Sequence, residues 1–245
     1  MGIRWGVGYP VWVRLHNRLV YPPMPRILFA SLLVVLLLDA PRLIAPAQAQ
    51  ARAKAVPMEC PVGMVAPDDA DSPADVLDKP ARAWSFDRWV RTKPLTQRQL
   101  RGKVVLVRWW THGCHYCKST LPEIEALRTR YADQGLVVIG AFHPKPQRPV
   151  LDAWVESVAD SLGFKGPIAI DERWSTLERW WLGGHPDRNW TSVSFLIDRR
   201  GIVRWAHTGG EYHESDDPRH RTCALEAHEL EKQIRAALAE PVASR

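Results

Sequence analysis

The chain of 245 residues is long enough for one sizeable domain with extensions, or for two small domains. Its apolar content of 46% and its 12 tryptophans indicate a packed core and exclude a largely disordered chain. Of the formal charge of +6, four units lie in residues 1–49, so the remainder is near neutral and a nucleic-acid partner is disfavoured.

The N-terminus has the pattern of a secretory signal. Arg26 precedes an apolar run, Ile27–Leu38, which is shorter than the roughly 20 residues that span a bilayer. Ala47-Gln48-Ala49 fits the A-x-A pattern at which such signals are cleaved. We therefore predict a signal peptide over residues 1–49, with Met24 as an alternative start, and a periplasmic or otherwise exported chain. An uncleaved membrane anchor is the alternative.

Residues 50–80 are rich in proline, alanine and aspartate, and we predict a flexible segment there. Residues 81–240 then alternate apolar runs with helical periodicity, which predicts one domain. The expected strands are, in order, one within Arg82–Val90, then Val104–Trp110, Leu136–Phe142, Pro167–Ile170, Val193–Asp198 and Ile202–His207. The expected helices are a turn at Thr96–Leu100, a helix beginning near Cys114, one from Pro149 with Leu151 and Trp154 on its apolar face, Trp174–Leu182, and a last helix capped by Thr222. This order indicates an α/β fold in which helices flank a central mixed sheet.

Cys114 and Cys117 lie between a buried strand and an amphipathic helix. A thiol at a helix N-terminus faces unpaired N–H groups and the positive end of the helix dipole, which favour the thiolate. Two cysteines at this spacing can close into a disulfide and reopen by exchange. The alternative is half a zinc site, but the sequence has no second CxxC motif to complete it.

The run GKVVLVRWWTHGCHYC…LPEIEAL, followed by LVVIGAF and SFLIDRRGIV, resembles the thioredoxin fold in its exported TlpA/ResA-like (redoxin) form. The resemblance covers roughly Arg82 to Ala239 and implies a helical insertion after the second core strand, at Phe142–Gly166. It implies a thiol–disulfide oxidoreductase with Cys114 as the exposed nucleophile and Cys117 as the resolving thiol. It further implies protein disulfides as substrates, reduction rather than oxidation, a membrane thiol–disulfide carrier as electron donor and no organic cofactor.

Three positions depart from the family pattern. Ser192 aligns with the cis-proline that packs against the disulfide, Arg108 replaces a buried carboxylate, and Thr120 replaces an acid after the second cysteine. We expect Arg108 to reach the edge of the sheet, to pair with an acid such as Glu123 or Asp171, or to lie below the thiols and stabilise a thiolate.

Other residues are candidates for lining the site or tuning its pKa. His115 follows the nucleophile and His112 precedes it by two residues, so a histidinium here would favour the thiolate; two solvated turn histidines are the alternative. Trp110 is a candidate for the core or the wall of the site. His143 follows the second core strand, at the end where sites in α/β sheets gather.

The remaining two cysteines, Cys60 and Cys223, are candidates for a structural disulfide in an exported chain. His207, Glu211 and His213 follow the last strand and are residue types that bind metals, although a polar surface loop is the more ordinary interpretation.

Two other functions remain open from the sequence. A copper-binding or delivery module is favoured by Ser192, because a proline there would shield the sulfurs from other ligands. A thiol peroxidase is favoured by Thr111, three residues before Cys114, although the proline that accompanies such a threonine is absent.

Overall fold

The computed structural model describes residues 70–241. The strands within them are β1 (Arg88–Val90), β2 (Val104–Trp110), β3 (Leu136–Phe142), β4 (Ile168–Ile170), β5 (Ser194–Ile197) and β6 (Val203–His207). They form one sheet in the order β1-β4-β3-β2-β5-β6. β2, β3 and β4 run parallel, whereas β1 is antiparallel to β4, β5 to β2, and β6 to β5. The predicted mixed sheet and its terminal hairpin are confirmed.

Helices cover both faces of this sheet. They are α1 (Cys117–Tyr131), α2 (Asp152–Ser161), α3 (Ser175–Leu177), which continues as a π-helical segment over Glu178–Leu182, and α4 (Arg221–Ala239). Short 3₁₀ turns follow α1 at Ala132–Gln134 and precede α4 at Pro218–His220. No helix within residues 70–241 is both long and apolar enough to span a bilayer.

β2 is buried along its whole length because each of its faces packs against helices. Leu106 and Trp110 belong to a core cluster with α1 and α4, whereas Val107 and Trp109 belong to a second cluster with Trp180 on the opposite face. This alternation follows from the two-residue period of a strand. The cysteine pair therefore follows a strand that is buried at every residue.

Two predicted helix starts are wrong. α2 begins at Asp152 rather than at Pro149, and Leu151, expected on the apolar face, is 77% exposed because it lies before the helix. Thr222 does not cap α4, because the helix continues directly out of the preceding 3₁₀ turn. Asp217 caps that turn instead, by accepting the backbone N–H of Arg219.

Residues 1–69 lie outside the described part of the chain, so the signal peptide and residues 50–69 of the flexible segment remain predictions. Residues 70–80 differ from the expectation, because they pack against the domain. Val76 is buried, and Asp78 and Lys79 exchange backbone hydrogen bonds with Val203. Arg188 holds the same segment by donating to the carbonyl oxygen of Ser72 (3.0 Å) and to a carboxylate oxygen of Asp75.

Candidate active site

The two cysteines of the CxxC motif form a disulfide with their Cα atoms 5.3 Å apart. α1 begins at the second cysteine, Cys117, and not near the first as expected, so Cys114 lies in the turn before the helix. The backbone N–H of Cys117 points at Cys114 Sγ across 3.3 Å, as a helix N-terminus would direct it. Cys114 is half-buried and Cys117 is fully buried, so only the first sulfur is accessible to a partner.

Ser192, in the loop before β5, contacts both sulfurs. Its hydroxyl lies 3.7 Å from Cys114 Sγ and 3.6 Å from Cys117 Sγ. The cis peptide bond among residues 70–241 is Lys145-Pro146, so the bond before Ser192 is trans. A hydroxyl that can donate a hydrogen bond to a thiolate therefore stands where the aligned family position carries an apolar ring.

Arg108 is fully buried below this loop. Its Nη1 donates to the carbonyl oxygen of Ser192 (2.7 Å) and to Ser194 Oγ (3.3 Å), and its Nη2 donates to the carbonyl oxygen of Gly210 (3.1 Å). Its guanidinium carbon lies 5.6 Å from the centre of the Tyr212 ring. Burial lowers the pKa of Arg108 from its ordinary value, which follows from removing a cation from water.

The prediction that Arg108 pairs with Glu123 or Asp171 is wrong, and so is the prediction that its side chain reaches the edge of the sheet. Glu123 accepts the backbone N–H of Glu214, and Asp171 accepts N–H groups of the α3 segment and of Trp109. The two Nη atoms instead donate to backbone carbonyl groups of two loops, while the buried Nε has no hydrogen-bond partner among the described residues.

Of the four other predicted site residues, two are exposed and two are fully buried. His112 and His115 are exposed beside the disulfide, where their rings lie 5.2 Å from Trp154 and 5.8 Å from Tyr116 respectively. Trp110 is fully buried and packs edge-on against Phe142 at 4.8 Å, so it belongs to the core beneath the cysteines.

His143 does not line the site, contrary to the prediction. It is fully buried, with Nε2 2.9 Å from Thr191 Oγ1 and its ring 5.4 Å from Trp174. Thr191 lines the groove beside Cys114, whereas His143 contacts it from within the core and does not line the groove. Burial lowers the pKa of His143 to about 3, which keeps the ring neutral at physiological pH.

The half-buried sulfur opens into a groove with a volume of about 360 Å³. Sequence reasoning missed several of its lining residues, among them Tyr116, Lys145 and Trp190. The Tyr116 and Trp190 rings meet at 5.8 Å, and burial lowers the pKa of Lys145. The available signals were the position of Trp190 two residues before Ser192 and that of Lys145 just after β3.

The metal candidates of the sequence are only partly brought together. His207 lies apart, buried against Trp205 (5.8 Å) and Tyr212 (4.9 Å), and burial lowers its pKa to about 3. Glu211 and His213 do meet, in a cluster that also contains His220 and Cys223. Cys223 is disulfide-bonded, whereas Cys60 lies outside the described residues, so their pairing remains a prediction.

A sequence model of the AhpC/TSA family matches residues 78–206, which include the CxxC motif, the first five strands of the described sheet and all but the last residue of β6. The chain belongs to the AhpC/TSA family. This membership confirms the redoxin resemblance seen in the sequence.

Two named proteins are similar to this chain in sequence. Protein DipZ of Mycobacterium tuberculosis is 33% identical over 132 residues, which are 52% of this chain and 18% of DipZ. The thiol-disulfide oxidoreductase ResA of Halalkalibacterium halodurans is 27% identical over 113 residues, which are 46% of this chain and 58% of ResA. The chain thus spans less than two thirds of the length of either relative.

Solved structures show the same fold. The crystal structure of a thiol-disulfide isomerase from Corynebacterium glutamicum covers 66% of this chain and 98% of its own, with a TM-score of 0.50 and 22% identity. The predicted thioredoxin-like fold, with α2 inserted after β3, is confirmed.

Proposed function

We propose that this chain is an exported thiol–disulfide oxidoreductase that reduces protein disulfides through Cys114 and Cys117. The observation that carries the proposal is the asymmetry of the disulfide, in which one sulfur opens into the groove and the other is buried at the N-terminus of α1. Family membership and the similarity to ResA support the same chemistry.

In the reducing direction, the Cys114 thiolate attacks one sulfur of the substrate disulfide. A mixed disulfide forms, and the first substrate sulfur leaves as a thiolate. Cys117 then loses its proton and attacks Cys114 Sγ, which releases the second substrate sulfur and leaves the CxxC disulfide. The two departing substrate thiolates take up protons, so that two electrons pass from the CxxC pair to the substrate.

Two features of the site favour the thiolate that begins this reaction. The N–H of Cys117 points at Cys114 Sγ, and the Ser192 hydroxyl can donate to the same sulfur. No acidic residue lies in the first turn of α1 to oppose them.

The groove suits a peptide segment that carries the substrate cystine. The Tyr116 and Trp190 rings provide an apolar wall beside Cys114, while Lys145 provides a cation. For localisation and partners, the proposal rests on the N-terminal sequence and on the family resemblance. Residues 1–49 would direct export, and a membrane thiol–disulfide carrier would return electrons to the oxidised pair.

A redox titration of the full chain against dithiothreitol tests the chemistry and its direction. Tryptophan fluorescence would report the transition, because Trp110 and Trp190 lie close to the two cysteines. We expect a two-electron transition near the thioredoxin value of about −270 mV. A value near the DsbA potential of about −120 mV would overturn the direction of electron flow, and no reversible transition would overturn the oxidoreductase function. A variant with both Cys114→Ser and Cys117→Ser controls for the disulfide at Cys223.

Single-cysteine variants test the assigned roles. Cys117→Ser leaves the nucleophile without a resolving thiol, so it should accumulate a mixed disulfide with a protein substrate. The matched Cys114→Ser variant keeps only the buried thiol and should accumulate none. Equal trapping by both variants, measured on non-reducing gels, would contradict the roles.

A further inference from the structure

A second cluster of reactive side chains lies between the loop that follows β6 and the start of α4. It consists of Glu211, His213, His220 and Cys223, and one ligand atom from each lies within 4.8 Å of all the others. Glu211 and Cys223 are buried, and the two histidine side chains are 17% and 29% exposed. Carboxylate, imidazole and thiolate are the groups that bind Zn²⁺ in proteins.

The distances within the cluster are somewhat longer than those of a small coordination polyhedron. Glu211 oxygens lie 3.7 Å from His220 Nδ1, 3.9 Å from His213 Nε2 and 3.9 Å from Cys223 Sγ, and the last sulfur is 3.8 Å from His220 Nδ1. Tetrahedral zinc with bonds of 2.0–2.3 Å has ligands separated by about 3.3–3.6 Å. The remaining pairs lie within 4.8 Å, so the widest pair would have to contract by up to roughly 1.5 Å to close the site.

His213 provides an independent indication of a ligand. Its Nδ1 lies 3.0 Å from the carbonyl oxygen of Glu214, so the ring proton belongs on that nitrogen and Nε2 carries the lone pair. Nε2 is buried in the cluster and has no hydrogen-bond partner among the described residues. Glu211 is in turn held by the hydroxyl of Ser119, which is the kind of outer contact that orients a metal-binding carboxylate.

We propose that Glu211, His213, His220 and Cys223 form a site for a divalent transition metal ion such as Zn²⁺ when the Cys223 disulfide is reduced. A dithiol reductant supplies two electrons, which break the Cys223 S–S bond and give two thiols, while the dithiol becomes a disulfide. Binding of the metal then releases the proton of the Cys223 thiol to solvent. One thiolate and one carboxylate balance the charge of the ion, and two neutral histidines complete the set.

The test uses the full chain with Cys114→Ser and Cys117→Ser, because a reduced CxxC pair would itself bind metal. The protein is reduced with dithiothreitol, desalted and titrated with Co²⁺, whose visible spectrum reports tetrahedral coordination and thiolate ligation. We expect one equivalent to bind with a thiolate-to-cobalt band, and Zn²⁺ to displace it. The oxidised protein should bind at least about 100-fold more weakly and without that band.

Ligand variants separate this site from chance binding. His213→Ala and His220→Ala should each weaken binding at least about 100-fold. His228→Ala is the matched control, because His228 is an exposed histidine of α4 that faces Glu214 at 3.3 Å outside the cluster. Binding without saturation, equal affinity in the oxidised and reduced proteins, or an equal effect of His228→Ala would overturn the proposal.

Discussion

Replacing Arg108 by methionine removes the buried guanidinium while keeping a side chain of similar length. The guanidinium donates to the carbonyl oxygen of Ser192 at 2.7 Å, and the hydroxyl of the same serine lies 3.7 Å from Cys114 Sγ. The cation and this sulfur are therefore at most about 10 Å apart, and at an effective dielectric constant of about 20 their attraction is at least about 1.7 kcal/mol. That energy corresponds to about one unit of thiol pKa.

The expected results of Arg108→Met are a higher thiol pKa and a lower redox potential. A cation stabilises the thiolate and hence the reduced pair, so its removal makes the pair more reducing. One pKa unit corresponds to about 30 mV for this two-electron couple at a pH where the thiolate is populated. The pH dependence of alkylation would give the pKa, and the dithiothreitol titration would give the potential.

Arg108→Lys is the matched variant, because it keeps the charge but not the planar fork. Its thiol pKa and redox potential should therefore stay close to the wild-type values. Arg108→Met should also lower the free energy of unfolding, measured by urea denaturation, by about 1–3 kcal/mol for each carbonyl group left without its donor. A folded Arg108→Met protein with unchanged thiol pKa and potential would refute the electrostatic reasoning.

Two further predictions concern the hydroxyl and the buried imidazoles. Ser192→Ala should raise the thiol pKa by about one to two units, since a hydrogen bond to a charged group is worth about 1.5–3 kcal/mol, whereas Ser192→Thr should keep the wild-type value in the same alkylation assay. Below pH 6.5 His143 and His207 become protonated in the unfolded chain. In the folded protein these two histidines stay neutral until the pH falls to about 3. As the pH is lowered, the free energy of unfolding should therefore decrease by about 1.4 kcal/mol per pH unit for each ring. His207→Phe should remove the part of this pH dependence that comes from one ring, between pH 6.5 and 5. The free energies would be measured by urea denaturation. The same pH dependence in the wild-type protein and in His207→Phe would contradict the second prediction.

The parts of the fold that were predictable from sequence are those with a local signal. β2 and β3 are continuous apolar runs because both of their faces are buried, and the strand–CxxC–helix order is visible in one short stretch. The start of α4 was not predictable, because a 3₁₀ turn and Asp217 replace the expected cap at Thr222.

The site was less predictable because its contacts join distant segments. Arg108 is buried through carbonyl groups at Ser192 and Gly210, 84 and 102 residues further along the chain, and backbone acceptors leave no pattern in a sequence. Ser192 itself was located by its spacing to β5. The groove residues Lys145 and Trp190 lie on irregular loops, where no periodicity indicates which way a side chain points.

The contacts of Arg188 affect how the protein can be shortened. The residue after it, Asn189, donates its N–H to Asp71 (3.3 Å), and Arg188 itself donates to Ser72 and Asp75. These contacts hold the beginning of the loop that ends at Ser192. An expression boundary at residue 81, which the sequence favours, would keep every strand of the sheet but remove the anchor of the loop that faces the disulfide. Boundaries for crystallisation or kinetic work should therefore lie before residue 70.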